Sequence, residues 1–320
     1  MASRPRRPAS PRSSSPRTAA RGSRPSSASA RRSGRASDPG LGGGGRRGHP
    51  LSRARLRLAG TAGASSGVTP ASTASGVETL ARLVRESGCT VALTGAGISV
   101  PSGIPDFRTP GTGIWENVDP MEVAHIDAFR SDPVRFWSFY RPRLHSLGGV
   151  EPNPAHEALA ELERRGLLEG VITQNIDMLH TKAGSERVVE VHGSIRSASC
   201  QACDARYELA AVEELFDEDG VAICAACASL VKPDVVLFGE FLPAQAMAEA
   251  EALASRAELL LCVGSSLEVY PVAGLPSVTL ASGGRVAIVT QGPTGFDSEA
   301  AVRLDGDVAD ELPAVLAALA

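Results

Sequence analysis

Six short, almost uninterrupted apolar runs punctuate this chain from residue 89 onward, each bounded by turn residues. They are 89–95 (CTVALTG), 170–175 (GVITQN), 188–193 (VVEVHG), 234–239 (DVVLFG), 258–264 (ELLLCVG) and 285–290 (RVAIVT). Runs this short and this continuous predict strands buried on both faces. Between and around them lie segments with helical spacing. In 77–88 (VETLARLVRESG), Leu80, Leu83 and Val84 share a face, and Gly88 suits a helix end. In 154–166 (PAHEALAELERRG), Ala158, Leu159 and Leu162 do the same, with Gly166 at the close. Residues 243–256 and a C-terminal segment near 310–320 complete the helical set. Helices alternating with such strands predict an α/β fold, a parallel, Rossmann-like sheet covered on both faces. In that architecture ligands bind beyond the carboxyl ends of the strands. The chain's polar punctuation falls there: Gly95 after one run, Gln174 and Asn175 after another, His192 after a third, Gly264 and Ser265 after a fourth.

One feature interrupts the alternation. Cys200-x2-Cys203 is followed, twenty residues on, by Cys224-x2-Cys227. Two such knuckles deliver four thiolates to one tetrahedral Zn2+, leaving no open position, so the predicted metal is structural. We read about 193–235 as a small zinc-binding module inserted into the larger domain. The acidic stretch between the knuckles (Glu213, Glu214, Asp217, Glu218, Asp219) disfavours phosphate contact. Cys89 and Cys262 sit in apolar runs and read as small buried strand residues.

The net charge of −4 conceals an asymmetry. Residues 1–58 carry fifteen Arg and one acid, Asp38, hence +14, which leaves −18 on the remainder. Residues 1–70 are low-complexity Arg, Ser, Pro, Gly and Ala, a composition that cannot bury enough apolar surface to order itself. We expect a disordered tail there. It would serve as a spacer or reflect a start assigned too early, rather than as a basic arm on nucleic acid. Aromatics make up 4%, so the core must be built from Ala, Val, Leu and Ile. No apolar run is long enough to span a membrane and no signal sequence is evident, so the expected location is cytoplasmic.

Gly95-Ala96-Gly97 after a strand suits close approach to phosphate, but Val100 stands where a third dinucleotide-binding glycine would be. The longer string 95–115 (GAGISVPSGIPDFRTPGTGIW) is far more specific. Together with 173–180 (TQNIDMLH), 191–194 (VHGS), the four cysteines, 232–240 (KPDVVLFGE) and 263–271 (VGSSLEVYP), it resembles the sirtuin family, in that family's motif order and over about residues 77–320.

The resemblance implies a catalytic domain that binds NAD between the Rossmann-like and zinc-binding parts, with a cofactor loop and helical part near 104–150. It implies an NAD-dependent protein-lysine deacetylase that passes the acyl group of acylated lysine proteins to ADP-ribose and releases nicotinamide. Gly95, Ala96, Gly97 and Ser99 would line the phosphate and ribose path. Phe107 and Arg108 would belong to the closing loop. Ile104, Asp106 and Asn175 would hold the nicotinamide amide, and Gln174 and Asp177 its ribose. Gly264, Ser265 and Ser266 would face the adenosine side, with Asp307 and Val308 near adenine. The family often has an Asn after the last sheet strand, where this chain has Thr290 and Gln291. His192 would be the general base, its imidazole suited to reversible proton transfer near neutrality, with Asn175 and Asp177 as its catalytic companions. Asp177 could also cap a helix.

The peptide would add a strand between residues 235–239 (Val235, Phe238, Gly239) and 267–270 (Val269), at free edges. Tyr140 and Arg143 match the pair by which the desuccinylase and demalonylase branch reads an acyl carboxylate. Yet Asp106 and Pro142 depart from that branch, so plain deacetylation is expected. A mono-ADP-ribosyltransferase and a non-enzymatic NAD sensor are the remaining alternatives; the intact Asn175, Asp177 and His192 speak against the sensor.

Overall fold

The computed structural model describes residues 70–106, 113–114 and 118–320. The tail up to residue 69, and with it any nucleic-acid contact, lies outside the described residues, as do Phe107 and Arg108. The strands are β1 (Thr90–Thr94), β2 (Gly170–Thr173), β3 (Val188–Glu190), β4 (Gly193–Cys200), β5 (Arg206–Glu208), β6 (Val231–Val235), β7 (Leu259–Val263), β8 (Arg285–Val289) and β9 (Ala300–Leu304). Six of them form one sheet in the order β3-β2-β1-β7-β8-β9, with every neighbouring pair parallel.

Successive residues of a strand face opposite sides, and the two cores divide accordingly. Ala92, Leu259, Leu261, Val263, Ala287 and Val289 pack with the helices Pro70–Glu86, Pro154–Arg164 and Val308–Ala318. Val91, Leu93, Leu260, Cys262, Val286 and Ile288 pack on the other face with Ala244–Arg256 and Leu275–Ala281. Both faces are covered, which is why the strands read as continuous apolar runs. The helices expected at 77–88, 154–166, 243–256 and the C-terminus are all present. None of the described helices is long and apolar enough to cross a membrane.

The run at 234–239 departs from expectation. It does not join the parallel sheet. β6 ends at Val235 and pairs antiparallel with β4, in a second sheet ordered β5-β4-β6. A third core explains why. Ile126, Phe129, Phe136, Trp137 and Leu144, from the helices Ile126–Ser131 and Pro133–Gly148, pack against Ile195, Ala198, Cys200, Val231 and Val235. The cysteine module and the helices before residue 148 therefore share one apolar interior. Phe129, Phe136 and Trp137 stack edge to face within it.

Helix Pro154–Arg164 opens with a capping box in which Asn153 accepts from Ala155 N–H and His156 Nδ1 accepts from Asn153 N–H. The Asn153 amide donates to the Ile98 carbonyl (2.8 Å) and Ser102 Oγ (2.9 Å), tying this cap to the loop after β1. The His156 ring meets that of His180 at 4.9 Å, and both are almost fully buried. Burial pushes His156 down to about 4 and His180 down to about 3. Both stay neutral in the fold, whereas the unfolded chain protonates them near pH 6.5. The unfolded state then binds more protons, so stability falls as pH falls below about 6.5, by about 1.4 kcal/mol per pH unit for each histidine. Urea midpoints between pH 7 and 5 should show this decline, with a shallower slope in His180→Asn; a slope unchanged by that substitution would mean His180 is not held neutral.

Candidate active site

The order of the parallel sheet reverses between β1 and β7, so their carboxyl ends open a crevice at that point. Three glycines line it. Gly95 N–H donates to the Val263 carbonyl (3.1 Å), and Gly97 N–H to the Gly264 carbonyl (2.8 Å). A Cβ on Gly264, whose φ is +59°, would lie 2.1 Å from Ile98 N; one on Gly97 would lie 2.8 Å from Gly264 Cα. Only glycine permits backbone to meet backbone so closely. The turns Ala96–Ile98 and Val100–Ser102 follow. The loops after β1 and β7 therefore pack main chain against main chain at the base of the crevice, where no side chain would fit.

Polar side chains from β1, β2 and β7 meet above it. The Asn175 amide donates to the Gly95 carbonyl and to Ser99 Oγ, both at 3.1 Å. Ser99 Oγ–H donates to Asp177 Oδ2 (2.7 Å), while Asp177 Oδ1 accepts Leu179 N–H (3.0 Å). Asp177 thus both caps the following turn and anchors Ser99. Burial pushes its carboxyl above the usual range, against the pull of Leu179 N–H and Ser99. The Gln174 amide donates to Ser265 Oγ (3.0 Å), joining the end of β2 to the end of β7. Ile104 N–H donates to the Ser99 carbonyl (3.3 Å), and the Asp106 carbonyl accepts Ile114 N–H (2.9 Å).

His192 follows β3, half-buried, with its Nδ1 3.0 Å from the Gln174 carbonyl. A carbonyl can only accept, so Nδ1 carries the proton and Nε2 keeps the lone pair. Burial lowers the ring's pKa below 6.5, partly countered by the Gln174 bond. The neutral tautomer with a free Nε2 is a proton acceptor held in a fixed direction.

Other residues sit at the edges of this arrangement. Asp307, exposed, caps helix Val308–Ala318 by accepting Ala309 N–H (2.8 Å), and Val308 is buried in the same core as Ile98 and Val289. Thr290 is buried after β8 and Gln291 is exposed. Ser266 Oγ–H donates to Glu268 Oε2 (3.2 Å). Sequence reasoning missed Thr94 and Thr173, whose hydroxyls bond each other (2.9 Å) beneath the Asn175–Ser99–Asp177 group, Thr173 also accepting Asn175 N–H (3.1 Å). Thr at the last position of two buried strands was the signal.

The four cysteine sulfurs of Cys200, Cys203, Cys224 and Cys227 lie within 4.8 Å of one another. A soft, all-thiolate, four-point set fits a tetrahedral Zn2+ and fits it closed. The Tyr207 hydroxyl adds a contact to Cys224 Sγ (3.1 Å).

Residues 235–239 are not a free edge throughout. Phe238 is bonded on one side to 124–126: its N–H donates to the Ala124 carbonyl and its carbonyl accepts Ile126 N–H. The Val235 carbonyl accepts Lys232 Nζ, and Leu237 N–H donates to Glu240. Val269 carries its carbonyl to Ala273 N–H (2.9 Å).

The signature of the Sir2 family matches residues 95–271, the stretch that carries the glycine crevice, His192 and the thiolates. An NAD-dependent protein deacetylase of Thermotoga maritima is 46% identical over 228 residues, 71% of this chain and 92% of the relative. The chain belongs to the Sir2 family. An NAD-dependent protein deacylase of Thermococcus sibiricus is 43% identical over 75% of this chain and 95% of its own length. Among solved structures, a Sir2 histidine variant with a deacetylated p53 peptide and 3′-O-acetyl-ADP-ribose matches with a TM-score of 0.72 and 44% identity, over 75% of this chain and 97% of that one.

In this Sir2-family chain the Tyr140 and Arg143 pair is not posed for an anion. The Tyr140 ring stacks on Phe136 at 4.4 Å. Arg143 lies back over the Phe139 ring at 3.4 Å and donates to the Phe139 carbonyl (2.6 Å). Burial raises the Tyr140 hydroxyl's pKa, Arg143 lowers it and Glu240 raises it.

Proposed function

We propose that this chain is an NAD-dependent protein-lysine deacetylase, acting on acetylated lysine proteins and transferring the acetyl group to ADP-ribose. The observation that carries the reading is His192: a neutral imidazole with Nδ1–H fixed on a carbonyl and Nε2 free, bonded through Gln174 to the strand ends of the crevice. NAD, when bound, supplies the electrophilic ribose carbon and nicotinamide as leaving group. Gly95, Ala96, Gly97 and Ser99 hold its phosphates and ribose against bare backbone, with Gly264, Ser265, Ser266, Thr290, Gln291, Asp307 and Val308 toward the adenosine end. Asn175, with Ile104 and Asp106, orients the nicotinamide amide, and Phe107 and Arg108 belong to the closing loop. Gln174 and Asp177 position the ribose, Asp177 by way of Ser99.

His192 Nε2 takes the proton of a hydroxyl brought to it, while the Gln174 carbonyl steadies the resulting imidazolium through Nδ1–H. Zinc on Cys200, Cys203, Cys224 and Cys227 holds the small module together and takes no part in the reaction. The reducing cytoplasm suits cysteines kept as thiolates rather than disulfides.

Acetyl, not succinyl, is the expected group. Arg143 is committed to the Phe139 ring and carbonyl. Mass spectrometry of one lysine peptide in acetylated and succinylated forms, with and without NAD, should show NAD-dependent loss of acetyl as the faster reaction. Faster loss of succinyl, abolished in Arg143→Met, would overturn the acyl preference. ADP-ribose added to protein without deacylation would overturn the reading itself.

A further inference from the structure

His180 is 2% exposed and lies on the short helix Leu179–Lys182, behind the crevice. Burial keeps its ring neutral, so it carries one proton. Two bonds decide where that proton sits. The Thr94 hydroxyl donates its only hydrogen to Thr173 Oγ1 (2.9 Å). Thr94 can then only accept from His180, whose Nε2 lies 2.9 Å away. His180 therefore carries its proton on Nε2 and its lone pair on Nδ1. His156, in contact with it, is fixed as well: its Nδ1 accepts Asn153 N–H (3.4 Å), so its proton is on Nε2. Among the described residues, His156 Nε2 and His180 Nδ1 are both buried without a partner. One needs an acceptor and the other a donor, on rings whose centres are 4.9 Å apart.

The directed bonds continue past Thr173. Its Oγ1 also accepts Asn175 N–H (3.1 Å). That N–H belongs to the same peptide unit as the Gln174 carbonyl, which lies 3.0 Å from His192 Nδ1. A peptide unit is planar, so fixing its N–H fixes its C=O. The unit between residues 174 and 175 is thus held on one side by Thr173 and holds His192 on the other. Its flanking side chains have anchors of their own. The Asn175 amide is bonded to the Gly95 carbonyl and Ser99 Oγ, and the Gln174 amide to Ser265 Oγ. Neither sets the tilt of the plane between them. A histidine buried only for packing needs no directed proton; this one aims its proton through two hydroxyls at the peptide unit that orients the base. In a dry interior such chains strengthen each bond and penalise a missing member.

We infer that His180 is a positioning residue for His192, acting through Thr94, Thr173 and the peptide unit between Gln174 and Asn175. The inference rests on the deacetylase reading above and deepens it. His180 touches neither NAD nor peptide. Without its Nε2–H, Thr94 loses the donor that orients its hydroxyl, Thr173 loses its fixed partner, and the Gln174 carbonyl is free to tilt. His192 Nε2 then no longer points in one direction. Substrate binding is untouched, because the side chains of Asn175 and Gln174 keep their own bonds.

The test uses the full chain with its zinc, an acetyl-lysine peptide and NAD. Wild type is compared with His180→Leu, which keeps the volume and removes the donor, and His180→Gln, whose amide N–H reaches the place of Nε2–H. Thr94→Val cuts the same path while leaving His180 in place, and guards against a His180 variant that fails to fold. In His180→Leu and Thr94→Val, kcat should fall about ten- to hundredfold, the scale of a misaligned catalytic group, while both KM values stay near wild type. His180→Gln should recover most of the loss. In a His192→Ala background, His180→Leu should cost almost nothing further, since the group it positions is gone. A folded, zinc-loaded His180→Leu or Thr94→Val with wild-type kcat would overturn the positioning role and leave the enzyme reading standing. So would a loss of the same size with and without His192, which would mark His180 as merely structural. If wild type itself removes no acetyl group, the enzyme reading fails and takes this inference with it.

Discussion

Cys200→Ala or Cys224→Ala should strip the protein of metal and unfold its third core. Structural zinc contributes roughly 10–16 kcal/mol of apparent binding free energy in small modules. A whole domain is stable by only about 5–15 kcal/mol. Three thiolates cannot replace the closed tetrahedral set, so the loss should exceed what the module can withstand. Damage should spread along the shared interior: Cys200 and Cys224 belong to the same apolar cluster as Phe129, Phe136 and Trp137. Trp137, fully buried in wild type, reports on it directly. Its fluorescence should shift to the red of a hydrated indole, and metal analysis should find no zinc. The parallel sheet has its own two cores and should keep its far-ultraviolet signature. A metal-free variant with the wild-type melting curve would disprove the structural role.

His192→Ala should reduce kcat by about 10²- to 10⁴-fold, the contribution of a positioned general base. Its fold should survive, because the half-buried ring makes one hydrogen bond, worth about 1 kcal/mol. The pH profile carries a second signature. The base acts when neutral, and burial holds its pKa below 6.5. Rate should therefore hold as pH falls toward 6.5 and drop only through a midpoint below that value. Single-turnover rates with saturating NAD and peptide measure both effects. An alanine variant turning over within a few-fold of wild type, with zinc and melting unchanged, would remove His192 from the mechanism.

The strands of the parallel sheet were legible because burial on both faces writes a continuous apolar run. β9 was not: AAVRL is half-exposed along most of its length and carries an Arg. The run at 234–239 looked like a sheet strand because its composition is apolar; its antiparallel partner, β4, is set by the thiolate knuckles and not by local pattern. The helical part near 104–150 was expected from the resemblance alone; its individual helices, interrupted by Pro133 and Pro142, could not be delimited by pattern, although Asp119 and Asp132 cap two of them. The site itself was read from motif strings, and its strand-end placement follows from fold physics. Its inner order was not readable. The tautomer of His192 is decided by a backbone carbonyl, which leaves no trace in residue type.

The interior shared by residues 126–148 and 193–235 also sets the unit in which this protein can be recombined. A chimera that imports the knuckle segment of a relative by itself would set foreign side chains against Phe129, Phe136 and Trp137, across a stretch of native sequence that includes β2 and β3. The transplantable block is discontinuous: two pieces of chain, far apart in sequence, must travel together while the strands between them stay behind.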